Sequence, residues 1–306
     1  MKHLEANSHH SVGVLRPGGD LPNEQEASML DVLMFQRPAG KEGAMMLERL
    51  VGRTKLVYEC DDDMLNASPW GLPHLQTDRA KESIKRCIRL CDAVTTTNEH
   101  LADILRPYNE NIYILPNHVK ADLLDLQRPR RDRLTIGWAG GTSHLGDFYS
   151  IAGPITDVLD ANLDVDMHFV GQDFTPLVGY RNSRWTAWSQ DVGHYYKNID
   201  FDIAVAPSED QLFNRSKTWL RALEMGALGI PIVAQNRLPY SDYVIDGKTG
   251  FLVDTADEWR TALQALINDA DMRAEMGAAA REQAAEYVIE DGWKLWEQAY
   301  ESIASA

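Results

Sequence analysis

The sequence predicts an α/β protein built from two parallel-sheet units in series. Three observations carry that reading. Short apolar runs suited to strands alternate with stretches of helical periodicity, and a polar, proline-interrupted segment breaks the pattern near residues 124–133. Beyond that break, each apolar run ends in residues suited to a turn.

The elements follow in order. In the first half the strand-like runs are "SVGVL", "DVLMFQ", "TKLVYEC", "DAVTTT" and "NIYILPN". Over residues 79–91, Ile84, Cys87, Ile88 and Cys91 recur at i, i+3, i+4, i+7, the spacing of an amphipathic helix. Strands separated by helices favour parallel pairing, because a parallel partner can only be reached by a long crossover. The segment "DLQRPRRDR" then reads as a linker. A second series opens with "RLTIGWAGG", continues with Phe148, Ile151, Ile155, Val158 and Leu159 at helical spacing, and adds strands at "VDMHFVG", "FDIAVAP", "IPIVAQ" and "TGFLVD". Ala-rich helices complete the chain, and Trp293, Trp296 and Tyr300 form a stripe suited to clamp back across the first domain. The boundaries read from this pattern are 1–125, 126–285 and a crossover helix at 286–306. In open α/β sheets ligands gather at the carboxyl ends of strands.

A composition of 44% hydrophobic and 25% charged residues can bury a sizeable core. No apolar run approaches the ~20 residues of a membrane span, and the first residues lack the apolar core of a secretory signal. Cys60, Cys87 and Cys91 form no CxxC pair, which points to a reducing, cytoplasmic setting with Cys87 and Cys91 as packing residues. The net charge of −16 argues against non-specific coating of nucleic acid. Two patches run against it: Arg79, Lys81, Lys85, Arg86 and Arg89 on one helix, and Arg128, Arg130, Arg131 and Arg133 in the linker. They read either as solvated faces or as a basic lip for a polyanionic acceptor.

"IGWAGGTSH" places Gly140, Gly141, Thr142 and His144 at a strand-to-helix turn, where glycines let backbone approach a ligand and helix-start N–H groups favour phosphate. A bare glycine turn has no GxGxxG or P-loop spacing to sharpen it. His74 and His118 stand alone, without metal-ligand spacing. "FNRSKTWLRALEMGALGIP" adds more. It reads as one helix, capped by Asn214 or Ser216, with Arg215 and Lys217 at its positive end. Cations there oppose the helix dipole, and a bound diphosphate would resolve the conflict. Glu224 lies further on among apolar residues, open between a hydroxyl-binding role and pairing with Arg221 or Lys217 on an exposed side. Asp61, Asp62 and Asp63 at the end of a strand suit a metal, an acceptor or proton handling, or plain strand-end polarity. Trp185, Trp188, Tyr195 and Tyr196 could line a base pocket, with core packing the better reading for most of them.

The run "RALEMGALGIPIVAQ…YSDYVIDGKTGFLV" resembles the C-terminal half of the group-1, family-4-like GT-B glycosyltransferases. "DVLMFQRP", "KLVYECDDDML", "CDAVTTTNEHLADIL", "NIYILPNHV" and "IGWAGGTSHLGDF" resemble a bacterial and phage branch of them, so the resemblance runs from about Asp31 to Val253. It implies a GT-B fold, two Rossmann-like domains facing a cleft with a C-terminal helix crossing back. It implies transfer of a sugar from a nucleotide-sugar donor, with retention and without metal. Glu224 matches the second acid of the family's E-x7-E element, which holds the donor ribose; the first acid falls at Ser216. Gly140 and Gly141 match the glycine turn at the diphosphate. The family's basic diphosphate ligands have no counterpart in "GGTSHLGDF", and Lys217 with Arg215 takes that place.

The site expected on this basis comprises Lys217, Glu224 and Asp62 for catalysis, and Gly140, Gly141, Thr142, His144, Arg215 and Ser216 for substrate. Apart from the nucleotide-sugar cosubstrate no cofactor is expected. The acceptor is a modified base in phage DNA, a glycan or a protein. The alternatives are a nucleotide-binding accessory protein without transfer activity and a sugar-nucleotide epimerase.

Overall fold

The computed structural model describes residues 2–14, 22–68, 70, 73–129, 131–179 and 182–306. Packing divides the chain into two compact units. Unit 1 comprises Met1–Asn117, Ser216–Thr218 and Ile289–Ala306, and unit 2 comprises His118–Arg215 and Trp219–Val288.

In unit 1, helices α1 (Lys2–Asn7) and α2 (Glu24–Ala27) precede strands β1 (Val32–Gln36), β2 (Lys55–Glu59), β3 (Ala93–Thr96) and β4 (Ile112–Ile114). The strands pair in chain order, all parallel. The crossovers carry α3 (Gly40–Leu50), α4 (Asp78–Leu90) and α5 (Glu99–Leu105). Parallel crossovers share one hand, so a sheet wound in one direction receives all its helices on one face. The core agrees: Leu47 of α3, Ile84 and Ile88 of α4 and Leu101 of α5 pack with Leu56, Tyr58 and Val94. Val57 and Ala93 point to the opposite face, where Ile303 and Tyr300 of the C-terminal helix, Ile289–Ser305, cover them. That second cover explains why these strands are apolar on both sides. The three cysteines are free and buried, Cys87 and Cys91 within the α4 core face.

One strand expected from the sequence is missing. Residues 11–14 of "SVGVL" form no strand, Val14 is 73% exposed, and Leu15 lies outside the described residues. An apolar run becomes a strand only where a sheet edge accepts it.

Unit 2 runs β5 (Thr135–Gly140), α6 (Leu145–Ala161), β6 (Asp166–Gly171), β7 (Ser183–Ala187), α7 (Val192–Lys197), β8 (Ile203–Ala206), α8 (Leu212–Arg215), α9 (Leu220–Ala227), β9 (Ile232–Gln235), β10 (Gly250–Val253), α10 (Ala256–Asn268) and α11 (Ala270–Ala284). The chain ends in the helix already described, α12. The parallel sheet has the order β10-β9-β8-β5-β6-β7. Alternate residues serve two cores. Ile136, Trp138, Phe169, Ile203 and Val233 pack on α6 and α10, whereas Ala139, Val170, Ala204 and Ala234 pack on α9. Because β5 begins the unit yet lies between β6 and β8, the winding reverses at its edge, which is where such sheets bind ligands.

Helix α9 is seated through glycines. A Cβ on Gly226 would lie 2.9 Å from the Ala280 carbonyl oxygen, and one on Gly277 would lie 2.3 Å from that of Gly229. Gly229 ends α9 at φ +66°, so its backbone has little freedom to yield. Gly277→Ala is therefore expected to cost about 1–3 kcal/mol by overpacking. Urea unfolding of wild type and variant measures it, and an unchanged midpoint would refute the close α9–α11 contact.

The described arginines of the basic "RPRRDR" segment are solvated in part, yet they are paired and form no free lip. Arg128 donates to the Phe201 carbonyl, Arg131 pairs with Asp200, and Arg133 pairs with Asp166 at 2.8 Å. Arg130 lies outside the described residues. These side chains tie the segment to unit 2.

Candidate functional site

In unit 2 the carboxyl end of β5 is Gly140, at the point where the winding reverses. Gly140 needs its missing side chain: a Cβ there would lie 2.6 Å from Nη2 of Arg221 and 2.7 Å from the Trp138 ring. Gly141, Thr142 and His144 follow in a 3₁₀ turn that leads into α6, with Gly141 and Thr142 exposed. His144 is held by Nδ1 against Asp147 at 2.7 Å, edge-on to Trp138. Asp147, itself buried, also accepts from the Glu209 N–H and the Asn214 amide, which binds the loop after β8 to the start of α6.

Two residues of α9, one turn apart, face this end of the sheet. The Arg221 guanidinium lies over the Trp138 ring, 5.3 Å from its centroid, and donates to the Tyr240 hydroxyl at 3.3 Å. Glu224 is half-buried and accepts from the Tyr196 hydroxyl at 2.8 Å. Burial raises its pKa, opposed by that hydrogen bond and by the charge of Arg221. Glu224 therefore does not sit on an exposed face with Arg221 as a surface partner. Arg221 is the cation beside the glycine turn, whereas the sequence reading gave it only as an exposed partner for Glu224. Its signal was its place one turn before Glu224 on the same helical face. The aromatic group divides: Tyr195 is buried in the core, while Trp185 and Trp188 are 48% and 60% exposed, contrary to the core packing expected. Trp185 donates to the Gly171 carbonyl at 2.8 Å, at the carboxyl end of β6.

The segment before α9 corrects the helix expected from Phe213 onward. Residues 216–219 interrupt it, α9 starts at Leu220, and its cap is Trp219 without a side-chain bond. Neither Asn214 nor Ser216 caps it. The cause is tertiary. The Asn98 amide donates to the carbonyls of Ser216 and Lys217 at 2.9 and 3.3 Å, acceptors that a continuous helix would use internally. Asn117 donates to the Thr218 hydroxyl at 3.0 Å. Arg215 closes the short α8 and makes two hydrogen bonds to the exposed Asp210, at 2.7 and 2.9 Å. Ser216 is fully buried.

Lys217 belongs with unit 1, where its charge acts on Asp62. Burial and the Asp61 charge raise the pKa of Asp62, while Lys217 and Arg37 oppose the rise. Arg37, at φ +48°, lies between Asp61 and Asp62 at 3.4 and 3.3 Å. A non-glycine residue in that conformation costs of order 1–3 kcal/mol, so its surroundings hold it there. Glu59, at the end of β2, has a carboxyl pushed up to about 7, first by burial and then by Asp61. It too was missed, because its strand position gave no outward sign of burial. Asp63 does not converge with the other two aspartates. It is buried and caps the next turn, accepting from the Leu65 and Asn66 N–H groups at 3.0 Å each.

Two grooves lie apart from Arg221, Glu224, Gly140 and Asp62. One, of about 930 Å³, runs between α3 and α4 past Lys41, Glu48, Arg79 and Arg86. Arg86 pairs there with Glu48, and Arg89 with Glu82, so much of the helix's basic face is internally neutralised. The other, of about 490 Å³, lies at the ends of β8, β9 and β10.

Residues 181–283 match the model of the family described as glycosyl transferases group 1. The chain carries a group 1 glycosyltransferase domain. That glycosyltransferase domain contains Tyr196, Arg221, Glu224 and Tyr240. The chain is 38% identical over 263 residues to a D-inositol 3-phosphate glycosyltransferase of Arthrobacter sp. (strain FB24), covering 69% of this chain and 60% of the relative. A protein of the same name from Paenarthrobacter aurescens (strain TC1) is 30% identical over 147 residues, 47% of this chain and 32% of the relative. The chain thus spans less than two thirds of the curated relatives it matches. Among solved structures, Anabaena Alr3699/HepE in complex with UDP and glucose superposes with a TM-score of 0.68 at 15% identity, over 92% of this chain and 80% of that one. The glycosyltransferase fold is accordingly that of the GT-B enzymes, with two parallel sheets.

Proposed function

We propose that the protein transfers a sugar from a nucleotide-sugar donor, of the uridine diphosphate class, to an acceptor hydroxyl. The observation that carries this reading is the juxtaposition of Arg221, Glu224 and the Gly140–Gly141 turn at the reversal of the unit 2 sheet. Glu224 accepts from the donor ribose hydroxyls, with Tyr196 fixing the carboxylate. Arg221 and the N–H groups at the start of α6 meet the diphosphate and stabilise the charge that develops as the glycosidic bond lengthens. A guanidinium there supplies the positive charge that other enzymes take from a metal, so transfer is metal-independent in this reading. Retention of configuration is taken from the family resemblance. In unit 1, Asp62 with Arg37 and Lys217 serves the acceptor, as a carboxylate able to hold a proton. The exposed Trp188 is suited to stack on the base.

A second reading is favoured by one observation. Ser216 is fully buried at the position of the family's first acid, which removes a contact to the donor sugar. A nucleotide-binding protein without turnover would result. Calorimetric titration of UDP, GDP, ADP and their sugar conjugates, with released nucleotide followed over time, tests both. Saturable binding of UDP-sugar with slow release of UDP is expected. Binding without any release selects the second reading, and no binding by folded protein removes both.

A further inference from the structure

We propose that unit 1 holds a zinc ion between its N-terminal segment and its last helix, bound by His9, His10, Glu297 and Glu301. Each offers one ligand atom, and the four atoms lie within 4.8 Å of one another. The two glutamates are one helical turn apart on α12, so both carboxylates project from one face. The histidines follow α1, whose Leu4 is buried and whose end is fastened by the Ser8 hydroxyl donating to the Leu4 carbonyl at 2.6 Å. The His10 N–H in turn donates to the Ser8 hydroxyl at 3.2 Å, which sets where the ring begins.

The convergence of four ligand atoms, with one imidazole nitrogen facing two carboxylates, suits a metal site. His10 Nε2 lies 3.7 Å from Glu297 and 3.4 Å from Glu301, and this nitrogen, shielded from solvent, makes no hydrogen bond among the described residues. Of the other imidazole–carboxylate pairs among the described residues, the buried His144–Asp147 and His168–Asp200 meet at 2.7 and 2.6 Å, while His3–Glu290 lies at 3.9 Å. Tetrahedral zinc with bonds of roughly 2.0–2.2 Å to nitrogen and oxygen sets its ligand atoms about 3.3–3.6 Å apart. The His10–glutamate separations lie close to that edge, and all four ligand atoms fall within 4.8 Å of one another. Two imidazoles with two carboxylates favour zinc over magnesium or calcium, which prefer all-oxygen shells. Such an ion would clip residues 8–10 to the helix that covers the second face of the unit 1 sheet. It touches none of the residues assigned to transfer.

The test uses the full chain without added histidines, stripped with chelator, and titrated calorimetrically with zinc and separately with magnesium. One zinc per chain and a raised melting temperature are expected, with cobalt giving the intense visible bands of tetrahedral coordination. His10→Ala and Glu297→Gln, both at partly exposed positions, should each weaken zinc binding by more than the roughly 10–100-fold expected when only an outer-shell partner is lost. Both should leave the far-ultraviolet circular dichroism and UDP-sugar binding unchanged. Absence of saturable binding, equal affinity for magnesium, or zinc binding that survives both substitutions overturns the proposal.

Discussion

Glu224→Ala is expected to lower affinity for the nucleotide donor by about 100-fold or more while the protein stays folded. Hydrogen bonds to a charged group contribute about 1.5–3 kcal/mol each, and a ribose offers two hydroxyls, so two lost bonds exceed two decades in affinity. The stability arm runs the other way. Burial raises the folded-state pKa of Glu224 above its unfolded value, so its ionised form carries a penalty in the folded protein. That penalty is absent below the unfolded pKa and grows as pH rises through the folded one. Glu224→Gln keeps an acceptor for Tyr196 and removes the charge, so it should be more stable than wild type at neutral pH and equal to it in acid. Donor binding by wild type should weaken with acidification at a higher pH than an ordinary carboxylate would give. Calorimetry and urea unfolding across pH measure both arms. Unchanged donor affinity in Glu224→Ala would remove the ribose assignment, and with it the core of the proposed function.

Legibility in the sequence depended on whether local pattern or tertiary partner decides a segment. Residues 79–91 were readable as a helix because their apolar spacing matches the face that α4 buries, and Thr77 caps it without outside help. Strands such as Ile203–Ala206 and Ile232–Gln235 were readable because burial on both faces leaves an apolar run. The stretch from Phe213 failed for the opposite reason. Its composition permits one helix, yet Asn98, more than a hundred residues away in sequence, takes the carbonyls at Ser216 and Lys217. Strand β7 escaped notice because, at the sheet edge, it alternates Arg184 and Thr186 with Trp185 and reads as an aromatic loop. At the candidate site, Glu224 and the Gly140–Gly141 turn were legible as motifs. Arg221 was not, since only the folded packing of α9 against Trp138 gives its charge a direction.

Asp200→Ala should cost about 3–5 kcal/mol in stability, the amount expected when one partner leaves a buried ionic network. Asp200 is 5% exposed and takes four hydrogen bonds from three residues: His168 Nδ1 at 2.6 Å, Arg184 at 2.7 Å to each oxygen, and Arg131. His168 is itself buried and passes its other nitrogen to the Thr186 hydroxyl at 2.8 Å. Removal of the carboxylate leaves these donors facing each other, with only Arg184, among the described residues, keeping a second carboxylate nearby, Asp166 at 3.6 Å. Burial alone would raise the Asp200 pKa, but hydrogen bonds from His168 and Arg131 and the charges of His168 and Arg184 outweigh it and hold the pKa well below the carboxylate range. With the folded pKa depressed, the stabilisation is complete above the unfolded pKa and declines as pH falls toward the folded one. Wild type should therefore lose stability between neutral pH and about pH 3, and Asp200→Ala should lose distinctly less over the same interval. The network joins the segment before β5 to β6 and the edge strand β7, which carries Trp185, so the variant should also alter tryptophan fluorescence. Equilibrium unfolding at several pH values decides it: a cost under about 1 kcal/mol, or an unchanged acid dependence, would show that the arginines and His168 hold their places without the aspartate.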